Sequence, residues 1–123
     1  MSDLSDFLDE PPEIRKGQLL DDYCKYIVSK NKNMLLPWWL MACYAYYELD
    51  QILLSDAYFE FELAEQLKKN YPKITHHHKS VIEKHKEQML DSNGKLDFKT
   101  AFMIKEWPER VAGATKCLLK KIY

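Results

Sequence analysis

PWWLMACYAYYEL, residues 37–49, is the stretch on which the fold turns. A proline at its head suits the first turn of a helix, where a backbone N–H would have no partner in any case. From Trp38 to Leu49 the residues are apolar or aromatic nearly all round, with no polar stripe. A helix of that composition is central and buried on most sides. The apolar run that contains it, from Met34 to Tyr47, falls short of the roughly 20 residues that span a bilayer. The stretch therefore predicts the middle of a soluble core, and other helices must surround it.

Those helices can be read outward from it. On the N-terminal side a helical pattern begins at Glu13, with Leu19 or Leu20, Tyr23 and Ile27 on one face, and ends at Asn31-Lys32-Asn33. Residues 1–12 are acidic, close with Pro11-Pro12, and read as a flexible arm ahead of a helical domain at 13–123. On the C-terminal side a short break, Asp50 to Leu54, precedes Ser55 or Asp56 as an N-cap. The helix that follows carries Phe59, Leu63 and Leu67 at four-residue spacing and stops at Pro72. Ser80-Val81-Ile82-Glu83 fits a capping box, with Val81 or Ile82, His85 and Met89 inward and Asn93-Gly94 as the stop. Two more helical patterns follow. One holds Phe98, Ala101 or Phe102, and Lys105. The other runs from Pro108 through Val111, Thr115, Leu118 and Ile122. No alternating strand pattern occurs, so the expectation is an all-α compact bundle of five to six helices in a single domain.

Composition narrows the function classes. The 123 residues hold 18 basic and 19 acidic side chains, a net charge of -1, and 46% of them are hydrophobic. General nucleic-acid binding needs a basic excess to displace counterions, and none is present. The lysine groups Lys68-Lys69 and Lys116, Lys120, Lys121 read as solvated helix ends. Cys24, Cys43 and Cys117 are odd in number and widely spaced, as in a reducing compartment, and no CxxC pair suggests zinc. The start, MSDLSDFLDE, lacks the basic-then-apolar order of an export signal. The cytoplasm is the expected location.

Catalytic motifs are missing. There is no GxSxG and no phosphate-cradling glycine loop, and no cysteine has a histidine at a recognisable spacing. Lys95-Leu96-Asp97-Phe98 half matches the KxDG motif of nucleotidyltransferases, but Phe98 replaces the glycine and only 25 residues follow Phe98. No enzyme is expected. His76-His77-His78 invites a metal reading, yet three adjacent residues point apart in regular structure, so a solvated loop with no metal is expected there.

The informative string is Tyr46-Tyr47-Glu48-Leu49-Asp50, followed by Ser55-Asp56-Ala57-Tyr58-Phe59-Glu60. It resembles the small N-terminal helical domain, domain Ia, of NAD-dependent DNA ligases. That pattern has two aromatic or histidine residues, then L-D, a short loop with isoleucine or leucine, and D-A-E-Y-D opening a helix that ends in a K-x-x-P-like stretch. Lys68-Lys69-Asn70-Tyr71-Pro72 supplies the last part. The likeness covers about residues 40–74, within a helix-loop-helix at 34–74, and runs without gaps from Tyr46 to Glu60. It is similar, too, to short phage proteins that carry only this ligase-like segment.

The resemblance implies a function. Domain Ia grips the nicotinamide mononucleotide (NMN) half of NAD, so the chain would be a non-catalytic, stand-alone relative that binds NMN or NAD, or that modulates an NAD-using enzyme. Carried over by position, Tyr46 and Tyr47 would contact the ring and Asp56 matches the family's first acid. Phe59 stands where the family has tyrosine, and Glu60 where it has aspartate. The chemistry is sound, because a cationic ring favours an aromatic face and a nearby carboxylate. A different reading is a phage-encoded helical interaction protein that docks on a host protein in the host cytoplasm. It would use large aromatics such as Trp38 and Trp39 as anchors.

Overall fold

A computed structural model describes residues 10–99, 101 and 103–123. Among the described residues five helices make up the fold: α1 (Asp21–Lys30), α2 (Leu35–Glu48), α3, α4 (Lys79–Lys84) and α5 (Glu109–Ile122). The third is a composite rod, α-helical at Asp56–Tyr58, π-helical at Phe59–Leu63 and α-helical again at Ala64–Asn70. Short 3₁₀ turns at Lys32–Met34, Tyr71–Lys73 and Lys86–Met89 link them. No strand is present among the described residues, only an isolated bridge between Leu90 and Leu96. The all-α single-domain expectation holds. None of these helices is long and apolar enough to cross a membrane.

α2 is the axis of the structure. Every residue from Leu35 to Cys43 is buried, and so is Ala45. The helix packs against α5 and α3, as its lack of a polar stripe requires. Trp39 is wholly buried and its indole N–H donates to the Phe98 carbonyl at 2.6 Å. Its ring meets Phe98 edge-on at 5.3 Å and stacks near Phe59 at 6.5 Å. One side chain thus ties α2 to α3 and to the irregular segment that follows α4. The last turn of α2 leaves the core, and Tyr46, Tyr47 and Glu48 are exposed. Asp50 then takes a left-handed conformation (φ 53°), a state that Asp tolerates better than most residues. The Gln51 N–H turns back to the Ala45 carbonyl at 2.9 Å.

Several boundaries differ from the sequence reading. The first helix begins at Asp21 rather than Glu13, because Gly17 (φ 82°) breaks the backbone and its N–H donates to the Ile122 carbonyl at 2.8 Å. Residues 13–20 therefore serve as a strap that satisfies orphan carbonyls at the end of α5. Leu20, Cys24 and Val28 form the buried line of α1, with Tyr23 and Ile27 on its flank and Leu19 exposed. Of the proposed acidic arm, residues 1–9 lie outside the described residues, and Glu10, Pro11 and Pro12 are exposed coil.

The capping box at Ser80 does not form. α4 starts one residue earlier, at Lys79. The Ser80 hydroxyl donates to the His77 carbonyl, and the Glu83 carboxylate accepts from the Tyr71 hydroxyl at 2.7 Å. The helix also ends at Lys84, well before Asn93-Gly94. Those two residues lie instead in a loop closed by Asp91, whose carboxylate accepts from the Asn93 and Lys95 N–H groups. The described residues of the 98–105 pattern form no helix. Phe98, Ala101, Met103 and Ile104 are buried in irregular chain, and Phe102 lies outside the described residues. Phe98 spends its carbonyl on Trp39, and the Asp97 side chain turns the backbone by accepting from the Lys99 N–H. In α5 the inward series is Val111, Thr115, Leu119 and Ile122, with Leu118 only partly buried. Thr115 is tolerated there because its hydroxyl donates to the Val111 carbonyl at 2.7 Å.

The cysteines are free, with Cys24 and Cys43 buried and Cys117 exposed. Burial pushes the Cys24 thiol up to about 12 and raises that of Cys43 as well, so neither is a thiolate at neutral pH. A disulfide-exchange reagent should therefore label the folded protein once, at Cys117, and the denatured protein three times. Rapid labelling of a second thiol in the native state would contradict this packing.

Candidate functional site

Where α2 emerges from the core it meets the N-terminal part of α3 across the loop 49–55. A cleft of about 210 Å³ lies between them. The exposed last turn of α2 contributes Tyr46 and Tyr47, whose rings meet edge-on at 5.0 Å. α3 contributes Asp56, Phe59 and Glu60, and the floor is apolar, formed by Ala42 and Cys43 with Ile52, Leu53 and Leu54 of the loop. All five residues singled out from the sequence thus line one cavity.

The local folding explains this convergence. Ser55 is the N-cap of α3, its hydroxyl accepting from the Tyr58 N–H at 3.2 Å. Ser55 is itself held by Asp21 of α1, which accepts from the Ser55 N–H at 2.8 Å and from its hydroxyl at 2.5 Å. Asp56 is thereby released from capping and projects, exposed, from the first turn. Asp56 and Glu60 are four residues apart and so share a face of the rod. Neither carboxylate joins an ion pair among the described residues.

The π turn at Phe59–Leu63 also shapes the site. A four-residue spacing drifts forward around a 3.6-residue helix, and one wider turn offsets that drift. Phe59 can then reach Trp39 while Leu63 and Leu67 remain in the core. Phe59 accordingly belongs partly to the core, where a hydroxyl would have to be satisfied. Its ring closes the inner wall of the cleft and contributes no hydrogen bond.

Lys99 is the site residue that sequence reading missed. It lines the cleft from the irregular segment after α4 and also borders a second, polar hollow with Lys68, Asp91 and Asp97. The 98–105 pattern read as a helix, and no local signal placed this lysine opposite Asp56 and Glu60. The same segment supports the cleft from behind, where the Ala101 N–H donates to the Tyr47 hydroxyl at 3.4 Å. The rim therefore carries two carboxylates and one ammonium around exposed aromatic rings, over an apolar floor. Chemically this suits a flat ring with a polar, charged tail.

The histidine run lies elsewhere, ahead of α4. There the three rings gather instead of splaying: His76 and His77 stack at 4.5 Å, and His78 sits 4.8 and 4.1 Å from them. The run is a loop and turn ahead of α4, as expected, with His77 exposed and His76 and His78 half-buried, but its rings are gathered.

No family model matches the chain, and no curated protein or solved structure is significantly similar to it.

Proposed function

We propose that the protein is a non-catalytic binding module for nicotinamide mononucleotide or the corresponding half of NAD, related to domain Ia of NAD-dependent DNA ligases. It binds the nucleotide itself or presents it to, or withholds it from, an NAD-using enzyme. One observation carries the reading: Tyr46, Tyr47, Asp56, Phe59 and Glu60, separated by a loop in the chain, line a single cleft. The cationic ring lies against Tyr46 or Tyr47, and the two carboxylates face the ring charge or the ribose hydroxyls. Lys99 stands at the rim, where a phosphate would leave the cleft. The cavity is smaller than the roughly 300–1,000 Å³ of a typical small-molecule site, so it takes the ring and leaves ribose and phosphate at the surface. Weak binding follows, in the micromolar to millimolar range, about 4–8 kcal/mol.

Calorimetry and amide chemical shifts on titration with NMN and with NAD test this. Saturable shifts are expected at Tyr46, Tyr47 and Asp56. Asp56→Asn should weaken binding while leaving the melting temperature almost unchanged, because Ser55 is the cap. No heat and no shifts near Tyr46 at millimolar nucleotide would reject the reading. The competing reading, a helical interaction protein, gains no support from Trp38 and Trp39, which are both buried.

A further inference from the structure

We propose that His76, His77 and His78 form a site for a divalent transition-metal ion of the zinc or copper type, each imidazole giving one nitrogen and water completing the coordination. One nitrogen from each ring lies within 4.8 Å of the others. Tetrahedral Zn–N bonds of about 2.0–2.1 Å set nitrogens about 3.3 Å apart, so small side-chain rotations close the set on an ion. Adjacent residues manage this because they sit in one tight turn. The N–H groups of Lys79, Ser80 and Val81 bond back to the carbonyls of His76, His77 and His78 at 3.0, 3.4 and 3.0 Å.

The turn is anchored from outside. The Asn33 side chain clamps Thr75 twice, at 3.0 Å each, donating to its hydroxyl and accepting from its N–H. Neighbouring charges are drawn off the cluster. The Lys79 ammonium donates to the Ile74 carbonyl and lies over the Tyr71 ring at 4.5 Å, while the Glu83 carboxylate is bonded to the Tyr71 hydroxyl. His76 and His78 are held below the ordinary imidazole value, first by burial and then by the neighbouring imidazoles, with Arg110 adding to the effect at His78. With three imidazole nitrogens, no carboxylate ligand and Arg110 close by, affinity belongs in the micromolar range.

Loading has a built-in reporter. The His76 Nδ1 atom accepts from the His78 N–H at 3.1 Å. An ion on Nδ1 displaces that N–H. An ion on Nε2 requires the ring proton to move to Nδ1, which breaks the same bond. Either route releases the His78 amide.

The test uses the untagged full chain with Cys117→Ser, which removes the exposed thiol as a competing ligand. Titration with Zn(II), followed by calorimetry and by the His78 amide shift, should show one saturable site, and Mg(II) should show none. His77→Asn changes only an exposed ring and should weaken binding by about tenfold or more, as should His78→Asn, with unchanged circular dichroism. No saturable binding below millimolar Zn(II) would overturn the proposal. So would affinity that stays within about twofold in both variants, or a His78 amide that does not move on loading.

Discussion

Replacing Trp39 with alanine should remove roughly a third or more of the folding stability. Excising a buried tryptophan typically costs about 3–5 kcal/mol, and a domain of this size has only about 5–15 kcal/mol in total. This site belongs at the upper end of the range. Trp39 is the contact point of α2, α3 and the 98–104 segment, and its loss leaves Phe98 and Phe59 facing a void. Trp39→Phe separates the two contributions. It keeps most of the apolar volume but leaves the buried Phe98 carbonyl without its donor, at a cost of about 1–3 kcal/mol. Denaturant melts of both variants decide the matter. A Trp39→Ala protein with a native midpoint would mean that the core is not organised around this ring.

The second large effect concerns a polar side chain. Asp21→Ala should destabilise the fold by roughly 1.5–3 kcal/mol, the range for hydrogen bonds to a charged group. Its carboxylate holds both the N–H and the hydroxyl of Ser55, and Ser55 in turn caps α3. Losing it also loosens the end of the helix from which Asp56 and Glu60 project. The expected signature is therefore double: a lower melting midpoint, and faster hydrogen exchange at Tyr58 and its neighbours than in the rest of α3. Asp21→Asn keeps one acceptor and should fall between the two. Exchange that rises uniformly over the molecule would show that Asp21 acts on global stability and not on this junction.

The link between Asp21 and Ser55 also explains why the cleft can exist. Two candidates for the α3 cap, Ser55 and Asp56, stand side by side in the sequence. With Ser55 fixed by a carboxylate from α1, it serves as the cap and Asp56 is left exposed at the cleft. A local reading cannot make that choice, because the deciding partner lies 34 residues away.

Much of the architecture was legible in the chain alone. The almost wholly apolar and aromatic composition of residues 37–49 required a buried central helix. The spacing of Phe59, Leu63 and Leu67 placed α3, Pro72 ended it, and Val111 to Ile122 formed an amphipathic last helix. These are properties of the 3.6-residue period and of local stereochemistry, so neighbours in sequence suffice to express them. The aromatic and acidic residues of the cleft were named from the resemblance to domain Ia, and they share one cleft because they flank one short loop that keeps its two flanks together in space.

The tertiary structure decided what depends on distant partners. Residues 13–20 follow the carbonyls at the end of α5 and so form a strap instead of a helical turn. Phe98 gives its carbonyl to Trp39, within an irregular stretch that buries Phe98, Ala101, Met103 and Ile104, and Lys99 lies at the rim of the cleft. The histidines gather because their turn is pinned by Asn33. In the first two cases a hydrogen bond between residues tens of positions apart outweighs a helical preference worth only a few tenths of a kcal/mol per residue, roughly. Such bonds have no signature in the sequence near either partner.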